Sequence, residues 1–477
     1  MSDAVKQESA MAGFFQRPTL VTFIILLLVV SSRSMLYAAP EDFEVRSVVE
    51  LFNSDAPLKT SQVPYSRKES STVPSRFFTD RVMRRIAVRM TSQTYRSQKC
   101  EHDVTIYLPD GQLPQESQGT AAIILGGNAI QVQDAKLDWL ETTVLGLNVP
   151  CVVVEQAFNA SRFGARNPGE LMSFGSRRHM ETGDPREAGY YALAKMFSAA
   201  ATVAEDLPEV RAKRFVVTGS SKGGMAALIA CAGDQRIVGA FPTAWNSGDL
   251  LAFTRLKGRR WGWSVKPKQT GPAGQTARQS MTMLDSPHGR RYRELFDPAE
   301  WGDLLKGKFI MPAVGTNDPL FHLLSDANYF DAMKCRRAFL RVPNYPHGRK
   351  HARHALGWRT AVAAALLGRT IPSVQLVSTT EGDHVTLTAQ LGNGIQNARL
   401  VLWQTTDPDG DYRKARWVPL PPIELNGKSD QVRVARIAVP DSGTAAFFLQ
   451  LTDSSSKPAF INSSNVVELG TPDEHER

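Results

Sequence analysis

The segment 215–232, which reads FVVTGSSKGGMAALIACA, decides the fold of this chain of 477 residues. Its first four residues form an apolar run typical of a buried strand, and its last eight can form a buried helix. Between them, Gly219, Ser221 and Gly223 make a G-x-S-x-G turn, in which glycine lets a strand and a helix approach closely. The segment therefore predicts a sharp strand-turn-helix junction that lifts Ser221 above the carboxyl edge of a parallel sheet.

Short, nearly continuous apolar runs lie on both sides of this segment, and they are typical of strands buried on both faces. With the strand of the segment itself, the runs are 121–125, 151–154, 215–218, 237–242, 309–314 and 338–342. Helical stretches alternate with them at 134–145, 185–204, 222–232, 325–333 and 352–367. This alternation predicts a doubly wound, mostly parallel sheet with helices on both faces, an α/β-hydrolase-like fold. Two alternating segments, 86–95 and 104–108, predict an antiparallel edge.

After Ile371 and Pro372 the helical period disappears, and short strand candidates recur between turn signals. They are 374–377, 385–390, 400–404, 432–439 and 445–451. This spacing predicts a C-terminal all-β sandwich domain over 372–470. The hydrolase-like domain is expected over 77–370, preceded by an extended arm at 40–76 and followed, after the sandwich, by a tail at 471–477.

The N-terminus has the features of an export signal. Lys6 and Arg17 precede an uncharged run of about a dozen residues at 19–30, which is shorter than the roughly 20 residues of a membrane-spanning helix. Residues 1–39 are therefore predicted to be a signal peptide, so the body is exported: periplasmic, secreted or anchored to the outer face of a membrane. Because Pro40 and Arg33 are unusual around a cleavage site, an uncleaved anchor with membrane association through this segment is the alternative.

Composition excludes several function classes. Lys and Arg total 56 against 47 Asp and Glu, and a net charge of +9 is modest for this length and does not imply a nucleic-acid partner. The four cysteines are far apart and form no CxxC pair, which argues against a zinc ribbon and a disulfide scaffold. We expect no metal, no cofactor and no nucleic acid, and a small-molecule or peptide substrate.

A serine nucleophile needs a histidine base, and the histidine needs a carboxylate that fixes its tautomer. Asp318 follows the apolar run 309–314, and His347 follows the run 338–342. Both therefore lie at carboxyl strand ends, in the order serine, acid, histidine of the α/β-hydrolases. The sequence predicts a catalytic triad of Ser221, Asp318 and His347.

Each of these assignments has an alternative. The turn around Ser221 could be a glycine-rich turn that only packs or that cradles a phosphate. Asp318 could be a helix cap or an Asp-Pro turn residue, and Asp249 is a rival acid. His351 and His354 compete with His347, although both fall near or on the last predicted helix.

An oxyanion hole requires backbone amides close to the nucleophile. The amide of Lys222 is one candidate donor, because this residue begins the helix after the turn. The second donor is expected from the loop after the run 121–125, where Gly127 or Asn128 can approach a substrate closely.

The connection over 250–301 is much longer than usual and predicts a lid. From 253 to 300 it contains ten basic and four acidic residues, a net charge of +6. Arg259, Arg260, Trp261 and Trp263 are its candidate substrate contacts. This surface could receive an acidic or sugar-like substrate or rest on an anionic surface, but a charge run is more often a solvated face.

The order of these motifs resembles the PhoPQ-activated pathogenicity-related protein family. The motifs are VTIYLP (104–109), GGN (126–128), GSSKGG (219–224), GTNDPLF (315–321) and VPNYPHG (342–348). The resemblance covers about 105–467 and implies an α/β-hydrolase with a C-terminal β domain. In two places the chain departs from it: Gly223 and Gly224 follow the Ser-Lys pair where members tend to have Arg and Gly, and the lid is poorly matched. The resemblance names no substrate, and it implies that some relatives act as secreted signalling factors.

Two function classes remain. The first is an exported serine hydrolase, an esterase or peptidase, in which Ser221 is acylated, His347 is base and acid, and Asp318 orients the histidine. The second is a non-catalytic secreted binding or signalling protein that retains the hydrolase fold. The intact serine, aspartate and histidine favour the enzyme, but both ester and amide chemistry use such a triad.

Overall fold

The computed structural model describes residues 47–54, 63–126, 137–155, 163–165, 168–264, 276–392, 395, 397–427, 430–454 and 459–472. The predicted signal peptide, the candidate oxyanion residues Gly127 and Asn128, and most of the predicted tail lie outside the described residues. All described residues belong to one compact unit, Asp42–Arg477.

The central sheet has eleven strands among the described residues. They are β1 Tyr65–Pro74, β2 Val82–Tyr95, β3 Gln98–Pro109, β4 Thr120–Leu125, β5 Cys151–Val154, β6 Arg214–Ser220, β7 Ile237–Thr243, β8 Phe309–Ile310, β9 Ala313–Gly315, β10 Arg336–Arg337 and β11 Leu340–Val342. The strand order is β1-β2-β3-β5-β4-β6-β7-β8-β10, and β9 pairs with β7 and β11. The pairs β1-β2, β2-β3 and β3-β5 are antiparallel. All other pairs of this sheet, which join β4 to β11, are parallel. The predicted mostly parallel sheet with an antiparallel edge is confirmed.

Helices cover both faces of this sheet, as predicted. They are α1 Val48–Ser54, α2 Leu137–Val144, α3 Pro168–Thr182, α4 Gly189–Asp206, α5 Lys222–Gly233, α6 Leu250–Trp261, α7 Ala277–Asp285, α8 Pro287–Phe296 and α9 Ala352–Leu366. One core contains α4 and α5, with Phe197 and Leu228, and the opposite core contains α2 and α9, with Trp139 and Trp358. The all-apolar sequences of β4 and β5 follow from burial on both faces.

The prediction of a helix over 325–333 is wrong. Only a short 3₁₀ turn forms there, at Ser325–Asn328. Two tertiary contacts hold this segment in an irregular path. The carboxylate of Asp326 pairs with the buried guanidinium of Arg341 at 2.6 Å, and the hydroxyl of Tyr329 donates to Asn246 at 3.0 Å.

Two antiparallel sheets follow in the C-terminal region. Their strands are β12 Ser373–Glu381, β13 His384–Gly392, β14 Asn397–Asp407, β15 Val418–Pro419, β16 Ile423–Asn426, β17 Gln431–Ala438, β18 Gly443–Asp453, β19 Phe460–Ser463 and β20 Val467–Thr471. One sheet has the order β12-β13-β17, and the other is built around the β14-β18 pair. A shared apolar core, with Leu376, Leu387, Leu400 and Leu449, lies between them, which is the arrangement of a sandwich.

The C-terminal sheets contact the central sheet through β19. Phe460 and Ile461 join the core that contains α9, and the amide of Ser463 donates to the carbonyl of Phe339 at 2.7 Å. The buried side chain of Arg341 in β11 donates to the carbonyl of Ser464 at 3.0 Å. The two regions therefore share both apolar and polar contacts.

Candidate active site

Ser221 lies between β6 and α5 in a backbone conformation that is rare for a residue with a side chain, with φ 56° and ψ −115°. Its amide donates to the carbonyl of Thr243 at 2.8 Å, and its carbonyl accepts from the amide of Gly224 at 2.8 Å. A Cβ at Gly219 would lie 2.4 Å from the carbonyl oxygen of Gly223, so glycine is required there. The glycines and these hydrogen bonds hold the strained turn in place.

Lys222 is the first residue of α5, so its amide belongs to the helix turn whose amides have no partner inside the helix. Such amides, together with the helix dipole, favour negative charge at this end. The side chain of Lys222 is half-buried, and burial lowers the pKa of its ammonium group.

Asp318 and His347 form a hydrogen-bonded pair. Oδ2 of Asp318 and Nδ1 of His347 are 2.8 Å apart, and Oδ1 accepts from the amides of Leu320 and Phe321 at 2.8 and 3.1 Å. The side chain of Asp318 is fully buried, while 20% of the His347 side chain is exposed. Because the carboxylate accepts from Nδ1, Nε2 of the neutral imidazole is the proton acceptor.

The three predicted triad residues lie at one edge of the central sheet. β6, β7, β9 and β11 are parallel, and Ser221, Asp318 and His347 each follow the carboxyl end of one of them. The aspartate and the histidine are in contact. No hydrogen bond joins Ser221 to His347 among the described residues, which include both side chains.

An aromatic cluster packs against His347. The ring of Phe321 stacks on the imidazole of His347 with a centroid distance of 5.9 Å. It also contacts Trp245 at 4.6 Å and stacks on Phe253 of α6 at 5.9 Å. The lid thus reaches the histidine through one intervening ring.

The lid residues named from the sequence have different environments. Arg260 pairs with Glu468 of β20 at 2.6 Å, and both side chains are largely buried. The indole of Trp261 is buried and donates to the carbonyl of Asp411 at 3.4 Å. These two residues attach the lid to the C-terminal sheets.

Arg259 and Trp263 make no such connection. Arg259 is exposed, and no ion pair involves it within the described residues. The ring of Trp263 packs directly over Gly258, where an added Cβ would lie 2.6 Å from a ring atom. Trp263, which follows α6, therefore folds back against this helix.

Lys257 is a residue of the site that the sequence analysis did not single out. Its ammonium nitrogen lies 5.1 Å from the ring centroid of Phe253 and 5.3 Å from that of Trp261. Burial lowers the pKa of Lys257 to about 8, although the negative charge of Asp318 opposes this shift. Phe253, Lys257 and Trp261 are spaced by four residues, which places them on one helix face. This spacing could have identified Lys257 from the sequence.

The alternative residues have other roles. Asp249 caps α6, where its Oδ1 accepts from the amide of Ala252 at 2.9 Å. His351 caps α9 by accepting from the amide of Arg353 at 3.1 Å. His354 is fully buried inside α9, and burial lowers its pKa to about 3.

A loop of the C-terminal region, residues 408–417, docks against the strand-end loops of the site. The side-chain amide of Asn317 donates to the carbonyls of Tyr412 and Ala415 at 3.1 and 2.7 Å. Asn344 and Trp417 exchange two hydrogen bonds, at 2.7 and 2.8 Å. The two asparagines, which belong to the motifs GTNDPLF and VPNYPHG, thus hold the loops of Asp318 and His347.

Residues 64–413 match the PhoPQ-activated pathogenicity-related protein family. The chain belongs to this family. The matched range contains Ser221, Asp318 and His347, and it ends inside the 408–417 loop. The resemblance predicted from the sequence motifs is confirmed. No curated protein matches the chain significantly.

Three solved structures illustrate the similarity outside the PhoPQ-activated pathogenicity-related family. Acetyl xylan esterase 1 from a Thermoanaerobacterium species is 13% identical, with a TM-score of 0.42 over 67% of this chain and 90% of that chain. A glucuronoyl esterase from Solibacter usitatus is 14% identical, with a TM-score of 0.39 over 63% and 86%. A puromycin-hydrolyzing peptidase from Mycobacterium tuberculosis is 14% identical, with a TM-score of 0.39 over 62% and 45%. These values are too low to assign a substrate.

Within the described ranges, no group of three or more His, Cys, Asp or Glu residues is arranged to hold a metal ion. In the same part of the chain, no helix has the length and apolar character needed to cross a membrane.

Proposed function

We propose that this member of the PhoPQ-activated pathogenicity-related family is a serine hydrolase, an esterase or a peptidase, that is acylated on Ser221. The observation that carries the proposal is the hydrogen bond of 2.8 Å between the buried Asp318 and the partly exposed His347, at the same sheet edge as the strained Ser221 turn. A carboxylate that fixes the histidine tautomer beside a raised serine is the arrangement that serine hydrolases require.

The reaction starts when His347 Nε2 accepts the proton of the Ser221 hydroxyl while Oγ bonds to the substrate carbonyl carbon. The amide of Lys222 and that of Gly127 or Asn128 stabilise the resulting oxyanion. The bond to the leaving group then breaks, and His347 returns the proton to the leaving oxygen or nitrogen. In the second half of the reaction, His347 accepts a proton from a water molecule while the water oxygen bonds to the acyl carbon. The bond to Ser221 Oγ then breaks, His347 returns the proton to Oγ, and the acid is released.

Bound substrate must bring Ser221 Oγ and His347 Nε2 into hydrogen-bond distance, since no such bond is among the described contacts. Catalytic hydrogen bonds often tighten only when substrate binds. Asp318 keeps its orientation through this step, because two backbone amides and complete burial fix its carboxylate.

The second candidate is a non-catalytic secreted binding or signalling protein on the same fold. The observation that favours it is the missing Ser221–His347 hydrogen bond among the described residues. In this case the Asp318–His347 pair would serve only to hold the loops after β9 and β11.

Labelling with a fluorophosphonate probe separates the two candidates. A hydrolase should be labelled in the wild type and in Ser220→Ala, and should not be labelled in Ser221→Ala. Ser220 is the matched control because it is a partly exposed serine at the end of β6, directly before Ser221. An unlabelled wild type, or labelling that survives in Ser221→Ala, would reject Ser221 as the nucleophile. A panel of aryl esters and peptide amides then assigns the reaction.

We also propose that the protein is exported by residues 1–39. The support is the run at 19–30, with basic residues before it. Fusing residues 1–45 to a reporter that is active only outside the cytoplasm should give an active reporter, and Leu26→Arg in the apolar run should abolish its activity. N-terminal sequencing of the exported protein decides between cleavage and an uncleaved anchor.

A further inference from the structure

Lys257 differs from two neighbouring basic side chains, Arg260 of the lid and Arg413 of the 408–417 loop. Arg260 has its carboxylate partner in Glu468, and Arg413, which stacks over Trp261, has its partner in Asp411. Lys257 takes part in none of the described ion pairs or hydrogen bonds. Its charge is therefore not neutralised by a direct partner within the described residues.

The position of Lys257 is costly for a charge without a partner. The ammonium lies over the rings of Phe253 and Trp261, and burial disfavours its protonated form enough to lower its pKa to about 8. Cation-π contacts recover only part of the hydration that an ammonium loses. An anionic group of a ligand would supply the stabilisation of the ammonium that the rings do not replace.

Lys257 is connected to His347 through two stacked aromatic rings. Phe253 stacks on Phe321, and Phe321 stacks on His347. The charge of Asp318 is close enough to act on the pKa of Lys257. An anionic group at Lys257 would therefore belong to the same molecule whose carbonyl lies at Ser221.

We propose that Lys257 is the specificity-determining residue of this site and that it binds an anionic group, such as a carboxylate, of the substrate. The proposal rests on the proposed hydrolase function and narrows its substrate class to esters or amides that carry a negative charge near the scissile bond. Phe253 and Trp261 hold the ammonium in place and form the apolar side of the subsite.

Kinetics on matched substrates test this assignment. One pair is the 4-nitrophenyl monoester of adipic acid and 4-nitrophenyl hexanoate, whose acyl chains have equal length. The other pair is 4-acetoxybenzoate and 4-tolyl acetate, which differ in the charge of the leaving group. We expect wild type to prefer the anionic member of at least one pair. In Lys257→Met, the KM for the anionic substrate should rise about tenfold with kcat nearly unchanged. The reason is that Lys257 pairs with the anionic group in both the ground state and the transition state.

Two control variants separate charge from position. Lys257→Arg keeps the charge over the rings and should retain the preference for the anionic ester. Arg255→Met removes an exposed charge from the same helix and should leave both KM values unchanged. If Lys257→Met changes the KM of the anionic and the neutral ester equally, or Arg255→Met has the same effect, the assignment is wrong.

Binding measured without turnover distinguishes a failure of this proposal from a failure of the hydrolase function. Calorimetry on Ser221→Ala should show tighter binding of the intact anionic ester than of its neutral partner, and Ser221→Ala with Lys257→Met should lose the difference. Equal binding of both esters by Ser221→Ala overturns the role of Lys257, whether or not wild type hydrolyses them. Selective binding that depends on Lys257, in a protein that hydrolyses neither pair and is not labelled by the fluorophosphonate probe, overturns the hydrolase function alone.

Discussion

At the residue scale, Ser221 has a backbone conformation with a cost of about 1–3 kcal/mol for a residue with a Cβ. Glycine adopts this region freely, because it mirrors the ordinary extended conformation. The free energy of unfolding of Ser221→Gly, measured by chemical denaturation, should therefore exceed that of Ser221→Ala by about 1 kcal/mol, although neither variant should have activity. Ser220→Gly, in the strand before the turn, should be destabilised instead. A less stable Ser221→Gly would show that the turn stores no strain.

The Asp318 carboxylate fixes the histidine tautomer, so its charge matters more than its shape. Asp318→Asn should retain the fold and lose about four orders of magnitude in kcat on an aryl ester. Asp249→Asn is the matched control, because asparagine caps a helix as well as aspartate does and should leave kcat almost unchanged. The opposite ranking of the two variants would transfer the acid to Asp249.

His322 gives stability a pH dependence. Its Nε2 donates to the carbonyl of Gly410, its Nδ1 accepts from the amide of Leu324, and burial lowers its pKa to about 4. The unfolded chain takes up a proton below about pH 6.5 that the folded chain takes up only near pH 4. The free energy of unfolding should therefore fall as the pH drops from about 6.5 to about 4.

Unfolding of wild type and His322→Gln across this range measures the effect. The variant should show a smaller loss of stability between pH 6.5 and 4 than wild type. His288→Gln, at an exposed histidine, is the control and should follow wild type. Parallel curves for wild type and His322→Gln would exclude His322 as the source.

At the element scale, the sequence predicted those elements whose conformation depends only on residues within the same segment. The β6-turn-α5 junction was predictable because Gly219 and Gly223 lie in the segment itself. Asp318 and His347 were predictable as neighbours because the carboxyl ends of parallel strands share one edge. The helix expected over 325–333 failed because its path depends on Arg341, which belongs to a later strand.

The lid helices show the same limit. The sequence indicated a basic insertion, but the partner of Arg260 is Glu468, which is 208 residues away. Lys257 was missed because its position over two rings follows from how α6 packs, and its charge alone did not separate it from nine other basic residues of the insertion.

Arg259 and Arg260 are adjacent but should behave differently. Arg260→Ala removes the ion-pair partner of Glu468 at a largely buried position and leaves it only the hydrogen bond from Tyr412, so it should lower the free energy of unfolding by about 1–3 kcal/mol. Arg259→Ala should change it by less than about 0.5 kcal/mol, since its side chain is exposed. Chemical denaturation of both variants measures the difference. Equal effects would mean that the Arg260–Glu468 pair does not anchor the lid.

At the scale of the whole molecule, the C-terminal sheets are part of the site's support. Asn317 and Asn344 connect the loops of Asp318 and His347 to the 408–417 loop, and Trp261 and Arg260 connect the lid to the same region. Each connection fixes an element that carries a candidate site residue. The C-terminal region should therefore affect activity without contributing a triad residue.

A chain that ends at Gly368 tests how far this dependence goes. Removing the C-terminal sheets exposes the surface of α9 that covers Phe460 and Ile461, and it takes from Arg341 its acceptor on Ser464. Exposed apolar surface favours aggregation, and the lost hydrogen bond weakens the packing of β11. We expect the truncated chain to be insoluble under conditions in which the full chain is soluble. Asn344→Gly in the full chain removes only two hydrogen bonds, because glycine tolerates the φ of 54° at this position, and it should remain soluble, with reduced activity. A soluble truncated chain with a cooperative unfolding transition would show that the sheets are appended to a hydrolase-like core that folds independently.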